Sequence, residues 1–570
     1  MFIPTTSEEL KKLNWDQLDI ILISGDTYID SYYDGIVLIG KVLIDKGFKV
    51  GIIAQPNTNS SDDILRLGEP KLFWGISAGC VDSMVANYTA LKKRKKKDDL
   101  TPGGINDRRP DRACIVYTNL IKRYATSNKF VVLGGIEASL RRIAHYDYID
   151  DNIRRSILFD SKADCLVYGM GEKTVIEIAE HLDKNKDFRN IRGLCYISNQ
   201  KVYEYTELPS FEEVKADKYK FIEMFKIFYQ NSDPLTAKGL YQKYSDRYLI
   251  QNPPQFNLTS AELDNIYSLD FERDTHPYYK SQGQVKALDT IQFSITSHRG
   301  CFGECNFCSI AVHQGRTVLS RSINSIVEET KKIIKHKNFK GYISDLGGPT
   351  ANMYGMMCKR QVKSGSCQDK RCDFPVQCTT MELSHKPLIE LLKKLRNIKD
   401  IKAIFIGSGI RYDLIIKDKT YGEQYLREVI EFHTSGQLKI APEHVDTKVT
   451  NAMGKPENSD LLSFVNLFNQ INIQKKKKQY LTYYFIACHP GCSIKEMKKL
   501  KSYIEKNIKI TPEQVQIFTP TPSTFSTLMY YTEINPFDHQ KIFVEKKSKL
   551  KQKQKQLVTK TNHKKMDKSY

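Results

Sequence analysis

Twice along the chain, short apolar segments that run into a glycine, proline or glutamate alternate with stretches of helical periodicity. The first series is "LDIILISGD" (18–26), "KVGIIAQP" (49–56), "KLFWGISAG" (71–79), "KFVVLGGIEASL" (129–140) and "ADCLVYGMGE" (163–172). The second is "IQFSITS" (291–297), "GYISDLGG" (341–348), "KAIFIGSGI" (402–410), "QLKIAPEH" (437–444), "QYLTYYFIACHPG" (479–491) and "VQIFTPTP" (515–522). Strands separated by helices imply parallel sheets, because parallel neighbours need a long crossover. In such sheets ligands sit beyond the carboxyl ends of the strands.

The spacing predicts a helix over about 31–46, with Ile36, Ile39, Gly40 and Leu43 on one face. Another follows the first strand of the second series. There Ser322 is the expected N-cap, and Ile323, Ile326, Val327, Ile333 and Ile334 mark the apolar face. Between the series the pattern loosens into polar, proline-bearing stretches such as "NPPQFNLTSAELDNIY". The expected organisation is a doubly wound α/β domain over 1–205, a connecting region over 206–285, a partial or complete α/β barrel over 286–535, and a basic, disordered tail over 536–570. In a barrel, chemistry belongs on the loops after the strands.

A composition of 40% hydrophobic and 27% charged residues is globular. No apolar run reaches the roughly 18 residues of a membrane span. The N-terminus lacks the layout of a signal peptide. The expectation is a soluble protein of the cytoplasm with no membrane partner. The net charge of +21 comes mostly from lysine spread through every region. Two runs are local, "LKKRKKKDD" (91–99) and the tail from Val544. Neither carries interleaved aromatics, so a solvated loop and tail are the first reading and nucleic-acid contact the second.

Of 13 cysteines, those at 80, 114, 165 and 195 are scattered, as buried thiols are. Two groups are not. "SHRGCFGECNFCSIAVHQGR" (297–316) places Cys301, Cys305 and Cys308 on the loop after the first barrel strand. A structural zinc site wants four ligands, and His298 and His313 are the nearest candidates to add one. Three thiolates on a four-iron cluster would instead leave one iron open. A second group, Cys358, Cys367, Cys372 and Cys378, has loop-like basic filling. Its spacing matches neither a zinc knuckle nor a common ferredoxin, so an auxiliary cluster, a zinc site and unliganded thiols stay open.

The Cys-x3-Cys-x2-Cys loop resembles that of the radical S-adenosylmethionine (SAM) superfamily. "DLGGPTANMYGMMC", "GSGIRYDL", "LKIAPEHV", "FIACHPGC", "PTPSTFSTLMYYT", "LGGIEASLRRIAHYDY" and "VYGMGE" extend the resemblance, in order, to the uncharacterised YgiQ-like radical SAM family. It implies a [4Fe-4S] cluster on Cys301, Cys305 and Cys308, with SAM on the open iron. Phe307 would then lie near the adenine, and Gly347, Gly348 and Pro349 of "LGGPT" near the methionine amino group. Arg411 and Glu443 are candidates for the SAM carboxylate and ribose, or else strand-end turns.

The implied reaction is reductive cleavage of SAM to a 5′-deoxyadenosyl radical that abstracts hydrogen from an unknown substrate. A flavodoxin- or ferredoxin-type protein would supply the electron. A methylthio- or methyl-transferring enzyme acting on RNA or protein through a second cluster is the alternative, and a non-catalytic iron–sulfur RNA-binding or sensing protein a third. By the same resemblance the first domain is cobalamin-binding-like in fold. It has no Asp-x-His-x-x-Gly, however, so cobalamin itself is not expected. The family also implies a further segment after the barrel. Here the lysine-rich stretch follows soon after "YYT", which puts in doubt any role of that segment in substrate binding.

Overall fold

The structure is a computed structural model and describes residues 1–559. The first series forms one sheet. Strands Ile20–Ser24, Val50–Ala54, Phe73–Ser77, Val131–Leu133 and Cys165–Val167 are parallel and fully buried. Val50–Ala54 is the edge and Ile20–Ser24 lies next to it, followed by the other three in chain order. The order therefore reverses between Ile20–Ser24 and Phe73–Ser77, the kind of switch point at which α/β sheets open a crevice. The expected first helix is Gly35–Asp45, whose N-cap Asp34 accepts from the Ile36 amide at 3.1 Å.

The same sheet continues past residue 205. Leu194–Ser198 joins antiparallel to Cys165–Val167, and the hairpin Leu240–Tyr244 and Arg247–Gln251 extends it to Thr206–Leu208. So the expected connecting region contributes three strands to the sheet of the first domain. Only the stretch from about 252 onward behaves as a strap. Its helix Ser260–Ser268 reaches the barrel through Tyr267, whose hydroxyl accepts from Arg299 Nε at 3.0 Å.

All six strands of the second series form, in chain order. Ser294–Thr296 pairs with Asp345–Gly347, and Tyr342–Ile343 with Ala403–Ile404. Ile410 bridges to Ile440, and Gln437–Glu443, Tyr480–Ala487 and Gln514–Ile517 complete the run, all parallel. This is a partial α/β barrel with a continuous aliphatic core. The helix Ile323–Ile334 is capped by Ser322 and buries Ile326, Val327 and Ile333, as its periodicity predicts.

The tail expected to be disordered from 536 is instead structured as far as it is described. Helix Ser548–Gln556 lies against the end of the barrel. Gln554 Oε1 accepts from the Cys488 amide at 3.1 Å, and Lys551 Nζ donates to the hydroxyls of Tyr148 (3.0 Å) and Tyr530 (2.9 Å). Polar side chains seat this helix, so no apolar stripe announces it. Residues 560–570 of the expected tail lie outside the described residues. Among the described residues no helix is long and apolar enough to cross a membrane.

Candidate functional site

The loop after Ser294–Thr296 is fixed at both ends. Its first leg, His298–Arg299, pairs antiparallel with Leu319–Ser320. Gly300 follows at φ +77, where an added Cβ would lie 2.0 Å from the Thr317 carbonyl oxygen, so only glycine fits. The Cys301 amide donates to the Gly315 carbonyl at 3.3 Å, and the Cys308 amide to the Cys305 carbonyl at 2.9 Å. Asn306 anchors the turn to a later strand-end segment. Its amide donates to the Met453 carbonyl (2.8 Å) and its Nδ2 to the Ala452 carbonyl (2.9 Å).

Burial pushes all three thiols up, Cys305 to about 11 and Cys308 to about 12, so metal must displace their protons when it binds. Neither histidine expected as a possible fourth ligand turns to them. Buried His298 has Nδ1 2.9 Å from Ser297 Oγ and Nε2 3.1 Å from the Thr350 carbonyl. His313 Nδ1 lies 3.1 Å from Ser139 Oγ of the first domain. Among the described residues no three of His, Cys, Asp and Glu converge on a single-ion position. Tetrahedral zinc with bonds of 2.3 Å would need sulfurs about 3.8 Å apart. Three spaced thiols without a fourth protein ligand fit a four-iron cluster with an open iron.

The "LGGPT" loop presses against this turn. Ser297 N donates to the Gly347 carbonyl at 2.7 Å, and Cys301 Sγ lies 3.6 Å from Thr350 Oγ1. A Cβ on Gly347 would come 2.8 Å from Ser408 Oγ, and one on Gly348 would come 2.5 Å from the His298 ring. The sequence therefore needs glycine at both positions, and His298 acts as the floor of the loop. Pro349 lines a cavity with them.

Arg411 stands over the same turn, where a Cβ on Gly303 would lie 2.8 Å from its Nη1. Asp413 and Asp373 grip the rest of the guanidinium at 2.5–2.7 Å. This pairing keeps the buried charge in place. Glu443 and Phe307 line a different, larger cavity together. Burial raises the Glu443 carboxyl, partly offset by Lys455, whose Nζ is 3.9 Å away. Asp373 and Lys455 were not legible as site residues, because nothing in "CDF" or "GKPEN" has a motif's spacing.

Two cavities flank the turn. One, of about 480 Å³, lies where the glycine-ended strands of the first sheet face the barrel. Ser77, Gly79, Gly134, Gly135 and Gly169 form one wall; His298, His313, Gly347 and Gly348 form the other. Gly135 has φ +77 and no room for a Cβ beside Ser77 Oγ. The second cavity, of about 1360 Å³, opens past Phe307 and Glu443 to a rim with Lys93, Lys95 and Lys555. The "LKKRKKKDD" run thus forms an ordered rim, held by bridges Tyr88 to Arg94 and Lys97 to Ile105. Cys358, Cys367, Cys372 and Cys378, expected as a group, meet around one small cavity of their own.

Residues 2–294 match the family model described as Radical SAM N-terminal. The chain is 58% identical over 559 residues to a UPF0313 protein of Fusobacterium nucleatum, covering 98% of each chain. It is 48% identical over 561 residues to a UPF0313 protein of Thermotoga maritima, again with 98% of each covered. In fold it is similar to the radical SAM methyltransferase TsrM of Kitasatospora setae with cobalamin and a [4Fe-4S] cluster bound. That match has 13% identity and a TM-score of 0.51, over 88% of this chain and 73% of that one. It is also similar to the cobalamin-dependent radical SAM enzyme OxsB with aqua-cobalamin bound, at 12% identity and a TM-score of 0.50, over 92% and 57%.

These likenesses bear out a cobalamin-binding-like first domain joined to a radical SAM barrel. They also correct the expectation against cobalamin. Both neighbours of this fold carry it, so a missing Asp-x-His-x-x-Gly is no ground for excluding it.

Proposed function

The chain belongs to the UPF0313 family of radical SAM enzymes, and from that premise we propose that it cleaves SAM reductively at Cys301, Cys305 and Cys308 to abstract hydrogen from an anionic substrate. The carrying observation is the three-thiol turn at the end of the first barrel strand, with the Gly347–Gly348 loop against it. A [4Fe-4S] cluster held by these three thiols would supply the one electron that reductive cleavage of the SAM sulfonium to methionine requires, and the hydrogen atom of the substrate would complete the 5′-deoxyadenosine formed.

The residues of the chain then have distinct tasks. Cys301, Cys305 and Cys308 would each hold one iron. Gly347 and Gly348 leave backbone bare for the methionine end of SAM, and Pro349 stiffens the turn. Phe307 and Glu443, in one cavity, suit the adenine face and the ribose hydroxyls. Arg411, held by two carboxylates, keeps a positive charge beside the thiolates and steadies Gly303. Lys93, Lys95 and Lys555 at the rim favour a substrate bearing negative charge. The test is anaerobic reconstitution with SAM and dithionite, with 5′-deoxyadenosine followed by mass spectrometry. Absence of that product from the fully iron-loaded protein sinks the reading.

A second reading, methyl transfer, is favoured by the cavity between the domains. Its wall of glycines accepts a broad, flat ligand, and the orphaned Glu172 Oε2 is a buried polar atom within its lining. Cobalamin fits that chemistry, and Ser77, Gly79, Gly134 and Gly135 would hold it. Bound cobalamin supplies a cobalt able to carry a methyl group. Titration with aqua-cobalamin, read by its visible spectrum, tests this. An unchanged spectrum at millimolar protein overturns it.

A further inference from the structure

We propose that Cys358, Cys367, Cys372 and Cys378 hold a second, fully protein-ligated [4Fe-4S] cluster, the port through which an acidic electron-carrier protein reduces the first.

The four thiols lie within a stretch of 21 residues, and the chain folds to bring them round one cavity with Glu304 and Thr380. Cys358 pairs in an antiparallel bridge with Met381, which closes the segment on itself. The Cys378 amide donates to the Cys372 carbonyl at 2.8 Å. Gly365, at φ +78, turns the chain, and the Ser366 amide donates to buried Asp233 of the first domain at 2.9 Å, fixing Cys367. All four are unpaired thiols. They line the cavity without converging on one ion position, which leaves room for four separate irons and argues against a single zinc.

This group is tied to the first. Arg371, beside Cys372, donates to the Glu304 carbonyl at 3.1 Å and to Asn306 Oδ1 at 2.7 Å, both within the first cysteine turn. Asp373, on the other side of Cys372, holds Arg411 over Gly303. Cys358, Cys372 and Cys378 also share an apolar cluster with Cys301, Phe302 and Met353. The two cysteine groups are therefore packed against each other and bridged by Arg371 and Asp373.

The outward side has the chemistry of a docking face. Arg360, Lys363 and Lys370 are exposed around the group, Lys359 is exposed but paired with Glu382 at 2.7 Å, and Asp369 is the one acidic residue between 359 and 370. Val362 and Val376 stand out among them, 53% and 77% exposed. Positive charge around small apolar contacts suits a transient partner with an acidic face. Such carriers, reduced flavodoxins and ferredoxins, give up one electron. The second cluster passes from the 2+ to the 1+ state and then returns, as the first takes that electron. No bond or proton changes place.

The port function rests on the SAM-cleaving reading; the presence of the cluster does not, and the test separates them. Iron and acid-labile sulfide are counted after anaerobic reconstitution of the full chain. The expected values are about eight irons in the wild type, about four in C301A/C305A/C308A and about four in C372S/C378S. Four irons in the wild type with none in the first variant overturns the second cluster, as does one zinc per chain. For the port, the ratio of 5′-deoxyadenosine formed with reduced flavodoxin to that formed with dithionite should fall at least tenfold in C372S/C378S. An unchanged ratio overturns that role.

Discussion

Arg299 Nη1 donates to Glu172 Oε1 at 2.5 Å, and both side chains are buried. One residue belongs to the cysteine turn of the barrel, the other opens helix Glu172–Asp183 of the first domain. Two charges withdrawn from water are tolerated only as a pair. Glu172→Ala should therefore cost about 3–5 kcal/mol, because it strands a guanidinium. Chemical denaturation checks this, and a loss under 1 kcal/mol would show that the pair does not join the domains.

Cys305→Ala should remove the first cluster and with it all SAM cleavage. The measurement is 5′-deoxyadenosine release after reconstitution. Release at the wild-type rate would mean the cluster ligands lie elsewhere.

Gly348→Ala should weaken SAM binding at least tenfold while iron loading holds. The new methyl would meet the His298 ring, which is pinned between Ser297 and Thr350 and has nowhere to move. Equilibrium dialysis with SAM checks it. Wild-type affinity in the variant would separate this loop from SAM.

Stability should drop in mild acid. Burial lowers His145, His298 and His444 from the ordinary 6.5 to about 4. Unfolded, each takes a proton below pH 6.5; folded, only near pH 4. Between those values the unfolded chain binds more protons, so stability falls as pH is lowered, by up to about 3 kcal/mol per histidine. Above pH 7 these groups contribute no slope. Urea midpoints between pH 7.5 and 5 test it, and a flat profile would contradict it.

Removing residues 547–570 should lower the melting temperature by several degrees. The cut takes core residue Val558 away from the barrel, leaves the Cys488 amide without Gln554, and deprives Tyr148 and Tyr530 of Lys551. Scanning calorimetry would reveal an unchanged transition if the helix merely rests on the surface.

The buried parallel strands were legible because each is a nearly continuous apolar run. The hairpin Leu240–Tyr244 and Arg247–Gln251 was not, since "LYQKYSDRYLIQ" mixes charge into strands near the sheet edge. The cysteine turn and its glycine loop declared themselves through spacing. Asp373 and Lys455 did not, because their work is to pair charges brought from distant segments. The expectation against cobalamin failed because it rested on the absence of one motif, whereas two neighbours of the same fold carry the cofactor.

Helix Ser548–Gln556 comes after every barrel strand, yet its Lys551 reaches back to Tyr148 in the first domain. A chain growing on the ribosome thus exposes Cys301, Cys305 and Cys308 long before this clasp can fasten. Until Lys551 is in place, the hydroxyls of Tyr148 and Tyr530 lack the ammonium that they share across the two domains, so this late helix is the last piece to join them.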